Sequence, residues 1–409
     1  MHETTAPPSA AWAVAAATVL NLPLGSLYAF SVFLAPLEAL LSLSRADLAL
    51  VFGVATAGFG VGMNVAPAVY GLTSTPLLVL ACAAASAAGI ALAATAAGLA
   101  QLAIGYGVLF GVGGGAAYIL VQQAVNFTVK TRPGLVNGYI VALYPAGAML
   151  AAPVFGWSIR AFGVRVTLGG LATTLAVTGL ISAWLIARSG VRLTAAGAVA
   201  RPQPAERRRA VFWRLWVVFF LAASAGLMVL SQAAGIIAAY GGAPGVALYG
   251  TTFIAGTIAV ARVGGGWMID RLTIPAVATA AHVLALAGNV ALTLWPGPTV
   301  AVAALTLVGL GYGIISGVTA AAVAVYWRRA LYGLIASRIY MAWCAAAIVL
   351  PTAAGWLFDL TRGYAIAVAI AAGGNVLGVL IAAGCNMLGA VVAFGLPRER
   401  GGDDGEGSP

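Results

Sequence analysis

An all-α integral membrane protein of twelve transmembrane helices, arranged as two related six-helix halves, is predicted by three features of this sequence. Charged residues make up 7% of the chain and hydrophobic ones 62%, with a mean hydropathy of +1.02. Soluble domains carry about 25% charged residues, so most of this surface must face lipid rather than water. The second feature is a series of apolar runs, each long enough to cross a bilayer at about 20 residues per span. The third is a repeat between the two halves of the chain.

In chain order the runs fall at residues 11–37, 48–71, 76–95, 101–126, 136–159, 166–187, 214–240, 246–269, 274–295, 299–326, 334–358 and 364–394. Short polar or Pro/Gly breaks separate them. The long polar stretch holds Arg188, Arg192, Arg201 and Arg207 to Arg209, with Pro202 and Pro204. It divides the chain into a six-helix unit (1–187), a cytoplasmic linker (188–213) and a second six-helix unit (214–396). The acidic, Gly-rich segment 397–409 is expected to be a disordered tail. The N-terminus holds His2 and Glu3 but no Lys or Arg, so no cleavable signal peptide is expected.

Basic residues orient the bundle. With both termini cytoplasmic, 14 Lys and Arg residues lie on the inner side and four (Arg45, Arg160, Arg165, Arg362) on the outer side. That asymmetry obeys the positive-inside rule, and the inverted topology would break it. The net charge of +10 is therefore a topology signal, not a nucleic-acid footprint. The expected location is the cytoplasmic (inner) membrane of a bacterium, with the lipid bilayer as the principal partner and a monomer as the working unit.

The repeat runs from Gly134-Leu135 to Gly156-Trp157 and again from Gly333-Leu334 to Gly355-Trp356, an offset of 199 at both ends. Each copy follows a basic pair, Lys130/Arg132 or Arg328/Arg329. Tyr144 and Trp343 occupy matching positions. Paired six-span units of this kind are an architecture of secondary transporters, with substrate held near the midplane.

Charges inside spans are costly, about 2.5–3.5 kcal/mol on insertion scales, and mark function by default. Arg262 lies eight residues before Asp270 at the end of span 8, hence about 12 Å deep at 1.5 Å per residue. No Asp or Glu falls in the middle of any span. A buried cation without an internal anion predicts a site for an anionic substrate. Arg338, one to two turns into span 11, is a second candidate for substrate contact or an inner gate. His282 is alone in span 9 and reads as a structural histidine. Asn21, Tyr28 and Phe33, with Asn64, Tyr118, Gln122, Tyr144, Ser231, Gln232, Tyr340 and Trp343, offer hydroxyls, amides and rings that suit a small carboxylate on a short carbon body. Gly111 and Gly113 to Gly115 lack the flanking strand and Lys of a phosphate loop and read as close helix packing. Pro23, Pro67, Pro145 and Pro351 are expected to kink their spans. Cys82, Cys344 and Cys385 sit in apolar runs and read as small hydrophobes. No metal or other cofactor is expected. A channel would call for a ring of like polar groups, and a membrane enzyme for a His, Asp or Glu cluster at one interface; neither is visible.

Gly266-Trp267-Met268-Ile269-Asp270-Arg271, between spans 8 and 9, resembles the loop signature of the major facilitator superfamily. There it contributes to a cytoplasmic gate, which implicates Asp270 and Arg271. The equivalent first-half loop, Val69 to Thr73, lacks the Asp-Arg pair. Within that superfamily the chain is similar to the oxalate/formate antiporter and monocarboxylate transporter branch. Three stretches carry this: Gly25 to Phe33 followed by Pro36-Leu37; Gly111 to Tyr118 with Arg132 to Gly138; and Ala261-Arg262 with its following glycines. The resemblance implies alternating access, Arg262 as the substrate-binding arginine, and lactate- or pyruvate-like substrates. A proton is the candidate coupling partner, and anion exchange the alternative mode. Ile258 stands where monocarboxylate transporters carry an Asp, and Trp343 where the oxalate/formate antiporter resemblance would place a Lys after Tyr-x-Ala. The first departure leaves a proton only the substrate's own carboxylate to travel on. The second argues against a dicarboxylate such as oxalate, unless Arg338 takes the place of that Lys. An amino-acid transporter on the same scaffold is the alternative, with backbone carbonyls near Pro23 or the amides of Asn64 and Gln232 meeting the ammonium group.

Overall fold

The computed structural model describes residues 8–194, 205–361 and 363–393. Its elements are all helical among those residues. They comprise α1 (Ala10–Leu41), α2 (Arg45–Val69), α3 (Thr75–Ala94) and α4 (Leu99–Thr128); α5 and α6, which share the run Pro133–Ser189; then α7 (Ala205–Ala239), α8 (Pro244–Ile269), α9 (Ile274–Leu294), α10 (Pro298–Tyr326), α11 (Tyr332–Thr361) and α12 (Ala365–Ala393). The run Pro133–Ser189 has 57 residues. At 1.5 Å per residue it is far longer than a bilayer core of about 30 Å. It divides at Gly163, whose φ of 82° lies in the left-handed region that a Cβ disfavours. Twelve spans result.

The predicted boundaries hold to within a few residues, with two corrections. The break expected between residues 159 and 166 is a helical bend at Gly163 rather than a loop. Helix α7 starts at Ala205, not at 214, so most of the expected linker arginine cluster lies at a helix start or outside the described residues. The expected tail, 397–409, lies outside the described residues altogether.

Two spans depart from α geometry. Pro23 in α1 is followed by a 3-10 stretch, Gly25–Phe33. In α4 a π-helical stretch, Ala103–Phe110, precedes the glycine run. Pro67, Pro145 and Pro351 lie inside helices as expected. The glycines seat helices closely. A Cβ on Gly25 would strike the main chain of Tyr144, with Tyr144 Cα at 2.8 Å. Bare backbone therefore lets α1 approach α5.

Loops at one end of the bundle carry Lys130, Arg132, Arg271, Arg328 and Arg329; we call it the basic end. Trp157 and Trp356, matched by the repeat, are both more than half exposed near the opposite end. That is where an aromatic belt meets the second interface. His282 is buried in the second half and its Nδ1 lies 2.9 Å from Asn375 Oδ1, a structural pairing of α9 with α12.

Candidate functional site

The halves meet around a central cavity of about 40 Å³. The first half contributes Tyr28, Phe59, Met63, Tyr118, Val141 and Tyr144; the second contributes Phe219, Arg262, Tyr312, Ser316, Tyr340 and Trp343. The wall is mostly aromatic. Tyr144 packs edge-on against Tyr118 (5.1 Å between centroids) and Phe59 (5.6 Å). Tyr28 bridges the repeat-related pair, 6.1 Å from Tyr144 and 5.7 Å from Trp343.

Arg262 is the one cation on this wall and is 4% exposed. Its Nη1 donates to the carbonyl of Val141 in the other half at 2.8 Å, and Nη2 donates to the Tyr312 hydroxyl at 2.9 Å. The guanidinium also lies over the rings of Tyr312 (5.2 Å) and Tyr28 (6.0 Å), where the ring faces attract a cation. Among the acids whose side chains are described, Glu38, Asp47 and Asp270, none lines the cavity. Arg262 Nε has no partner. Glycines give Arg262 this reach. Gly266 packs against the backbone of Gly134 and Gly138 on α5, and Gly265 against Ile314 on α10.

Three buried polar atoms on the cavity wall lack partners: Arg262 Nε, Trp343 Nε1 and the Tyr144 hydroxyl. The first two can only donate, and the third can do so. A buried donor left unpaired costs about 1–3 kcal/mol, and these donors can be met by the acceptors of a ligand or of water.

The structure brings Arg262, Tyr118, Tyr340, Tyr28, Trp343 and Tyr144 to this one cavity. Seven other sequence candidates are not on its wall: Phe33, Asn64, Gln122, Ser231, Asn21, Gln232 and Arg338. Asn21 is fully buried in α1 with both amide atoms unpartnered. Gln232 accepts a hydrogen bond from the Tyr364 hydroxyl at 3.1 Å. Arg338 is exposed on the outer face of α11; it is two residues from Tyr340, about 200° around the helix, so the two cannot share a face. Sequence reasoning missed Tyr312, Ser316 and Phe219. The signal for Tyr312 is its setting, Gly309-Leu310-Gly311-Tyr312-Gly313: one large polar-tipped ring among glycines. Gly226 on α7 leaves room for that ring.

A polar track leads from the cavity to the basic end. Gln122 Nε2 donates to the Tyr340 hydroxyl at 3.1 Å. Asn126 and Asn137 exchange two amide hydrogen bonds of 2.8 Å. Two cross-half clasps then close the end. The Asp270 carboxylate accepts from Gly134 N–H and Leu135 N–H at the start of α5. Gln123 Oε1 accepts from Gly333 N–H at the start of α11, and Gln123 Nε2 donates to Arg329 O at 2.7 Å. Asp270 thus joins the second half to the first at the basic end. Arg271 instead lies 4.1 Å over the Trp267 ring.

Two six-helix bundles around a midplane cavity closed at one end define a multi-pass membrane transporter. The chain belongs to the Major Facilitator Superfamily, whose family model matches residues 14–351. An uncharacterised transporter of that type from Escherichia coli K12, YhjX, is 24% identical over 313 residues, 74% of this chain and 77% of YhjX. Among solved structures, FucP in its outward conformation superposes with a TM-score of 0.71 at 15% identity, covering 90% of this chain and 97% of FucP. The proton:xylose symporter XylE gives 0.69 at 13% identity, covering 96% and 97%. The human organic anion transporter MFSD10 gives 0.68 at 16%, covering 92% and 100%. At these identities the structures speak for the fold alone.

Proposed function

We propose that the protein moves small monocarboxylates of the lactate or pyruvate type across the cytoplasmic membrane by alternating access, by proton symport or anion exchange. The observation that carries this reading is Arg262, a buried guanidinium on the cavity wall without a described acid beside it. A substrate carboxylate supplies the missing charge. It meets Arg262 Nε, while Trp343 Nε1 and the Tyr144 hydroxyl take its remaining acceptor oxygens. The Tyr28, Tyr118 and Tyr340 rings pack on its carbon body. The cavity wall offers one cation, which suits one carboxylate better than two.

The unpaired atoms also weigh against the amino-acid alternative. An ammonium group brings three donors to a wall whose orphaned groups are donors themselves. Gln232, once a candidate to meet it, is bonded to Tyr364 away from the cavity. The same reading makes the basic end cytoplasmic, with both termini there, in the inner membrane of a bacterium. Asp270 and Gln123 then hold the inner gate, and a single chain suffices for transport.

Uptake of labelled lactate and pyruvate into liposomes containing the purified protein tests the proposal. Charge-assisted hydrogen bonds contribute about 1.5–3 kcal/mol, so Arg262→Ala is expected to reduce uptake by about 10- to 100-fold or more. Uptake unchanged by Arg262→Ala, or uptake competed by amino acids and not by monocarboxylates, overturns it.

A further inference from the structure

A second cavity lies at the basic end, away from the transport site. It is a groove of about 340 Å³ between the first turns of α1 and of α5. Ala10, Ala11 and Val14 form one wall, and Val129 and Val136 the other, with Lys130 and Thr131 as its polar lining. One turn deeper on the same helices, Thr18 Oγ1 and the Tyr139 hydroxyl lie 2.9 Å apart, joining α1 to α5 and closing the groove toward the midplane. The groove is therefore apolar within, capped below, and open at the level of the headgroups.

That level is marked independently. Trp12, next to Ala11 in α1, is 41% exposed and packs edge-on against Trp184 at 5.9 Å. Arg188 lies 5.2 Å over the Trp184 ring. Exposed tryptophans with an arginine beyond them mark the boundary between acyl chains and headgroups.

The charge at the rim is one-sided. Lys130, Arg132 and Arg192 are exposed here. Among the acids whose side chains are described, the one at this end is Asp270 of the second half, and it is committed to the start of α5. Lys130 is also the single lysine of the sequence; its other basic residues are all arginines. An ammonium on a flexible stem is a compact point charge, able to swing over a groove and meet a phosphate without the fixed fork of a guanidinium.

We propose that this groove binds an anionic glycerophospholipid, with one acyl chain between α1 and α5 and its phosphate paired with Lys130. Basic pockets between transmembrane helices on the cytoplasmic side are suited to such headgroups, and the alanine and valine walls suit a hydrocarbon chain. Because the groove borders the first turn of α5, a bound lipid packs beside the residues that hold Asp270 and favours the closed basic end.

The test uses the full-length protein in detergent with three additives: dioleoyl phosphatidylglycerol, dioleoyl phosphatidylcholine and inorganic phosphate. Retained lipid is counted by native mass spectrometry, and thermal unfolding is followed in parallel. Phosphatidylglycerol is expected to be retained at least about tenfold better than phosphatidylcholine, with a rise in Tm. Lys130→Gln should remove that preference, Lys130→Arg should keep part of it, and Arg209→Gln, an exposed change elsewhere at this end, should leave it intact. Val14→Trp, which fills the groove, should abolish retention of phosphatidylglycerol. Lys130 is exposed, so its variants keep the test open even if Val14→Trp fails to fold. Equal retention of phosphatidylglycerol by wild type and Lys130→Gln overturns the site, as does a Tm rise from inorganic phosphate equal to that from phosphatidylglycerol.

Discussion

The carboxylate of Asp270 accepts the backbone N–H groups of Gly134 and Leu135, each at 2.8 Å. An acid at the end of α8 in the second half therefore closes the start of α5 in the first. A helix start carries a partial positive charge, and a carboxylate there contributes about 0.3–2 kcal/mol. Asp270→Asn keeps one acceptor and loses the charge. The basic end should open more often, by up to about 30-fold. Spin labels at Thr131→Cys and Leu272→Cys, in a background lacking the native cysteines, should report a larger fraction of long distances. An unchanged distribution would remove Asp270 from the gate.

The second clasp is neutral. Gln123 holds Gly333 N–H and Arg329 O together, so Gln123→Ala leaves two backbone groups unpaired. The cost is about 1–3 kcal/mol for each group that water does not reach. The expected result is a lower Tm together with a shift toward the open basic end in the same distance measurement. Gln123→Glu retains the acceptor for Gly333 but loses the donor to Arg329, and should fall between wild type and Gln123→Ala.

Tyr312 anchors Arg262. Tyr312→Phe keeps the ring under the guanidinium and deletes the hydroxyl that accepts from Nη2. Substrate affinity should weaken by about 3- to 30-fold, the equivalent of one hydrogen bond to a charged group or somewhat less. KM should rise while folding, read as Tm in detergent, changes little. A KM unaltered by Tyr312→Phe would mean that Arg262 holds its pose without that contact.

Arg338 gives the opposite test. It is exposed and outside the cavity wall, so Arg338→Gln should leave KM within about twofold of wild type, as for other surface changes. A large rise in KM would return Arg338 to the site.

The spans were legible in the sequence because hydropathy over about 20 residues is the strongest signal a membrane protein carries. Arg262 was legible for the same reason: one charge in mid-span stands out against an apolar background. Rotation about the helix axis was harder to read. Arg338 and Tyr340 both looked suitable for the cavity, although two residues on one helix point to nearly opposite sides. Tyr312 was invisible for a different reason. A tyrosine in an apolar run matches ordinary packing until the geometry shows what its hydroxyl accepts. The 3-10 stretch from Gly25 and the π stretch from Ala103 left no trace in hydropathy, since both occur inside uninterrupted apolar runs. Asn21, fully buried and unpartnered in α1, has no physical account in this arrangement.

The contact of Gly134 and Gly138 on α5 with Gly266 on α8 is backbone against backbone, with no knobs seated in holes. Such a seam acts as a smooth bearing between the halves. Along those three glycines one half can swivel on the other without first withdrawing interlocked side chains, although the rotation must also break the cross-half bonds of Arg262 and Gln122 beside the cavity. A single methyl group in that seam, as in Gly138→Ala, would work as a brake: it would meet the Arg262 carbonyl at 2.6 Å, push α5 off α8 and deny the molecule its fulcrum.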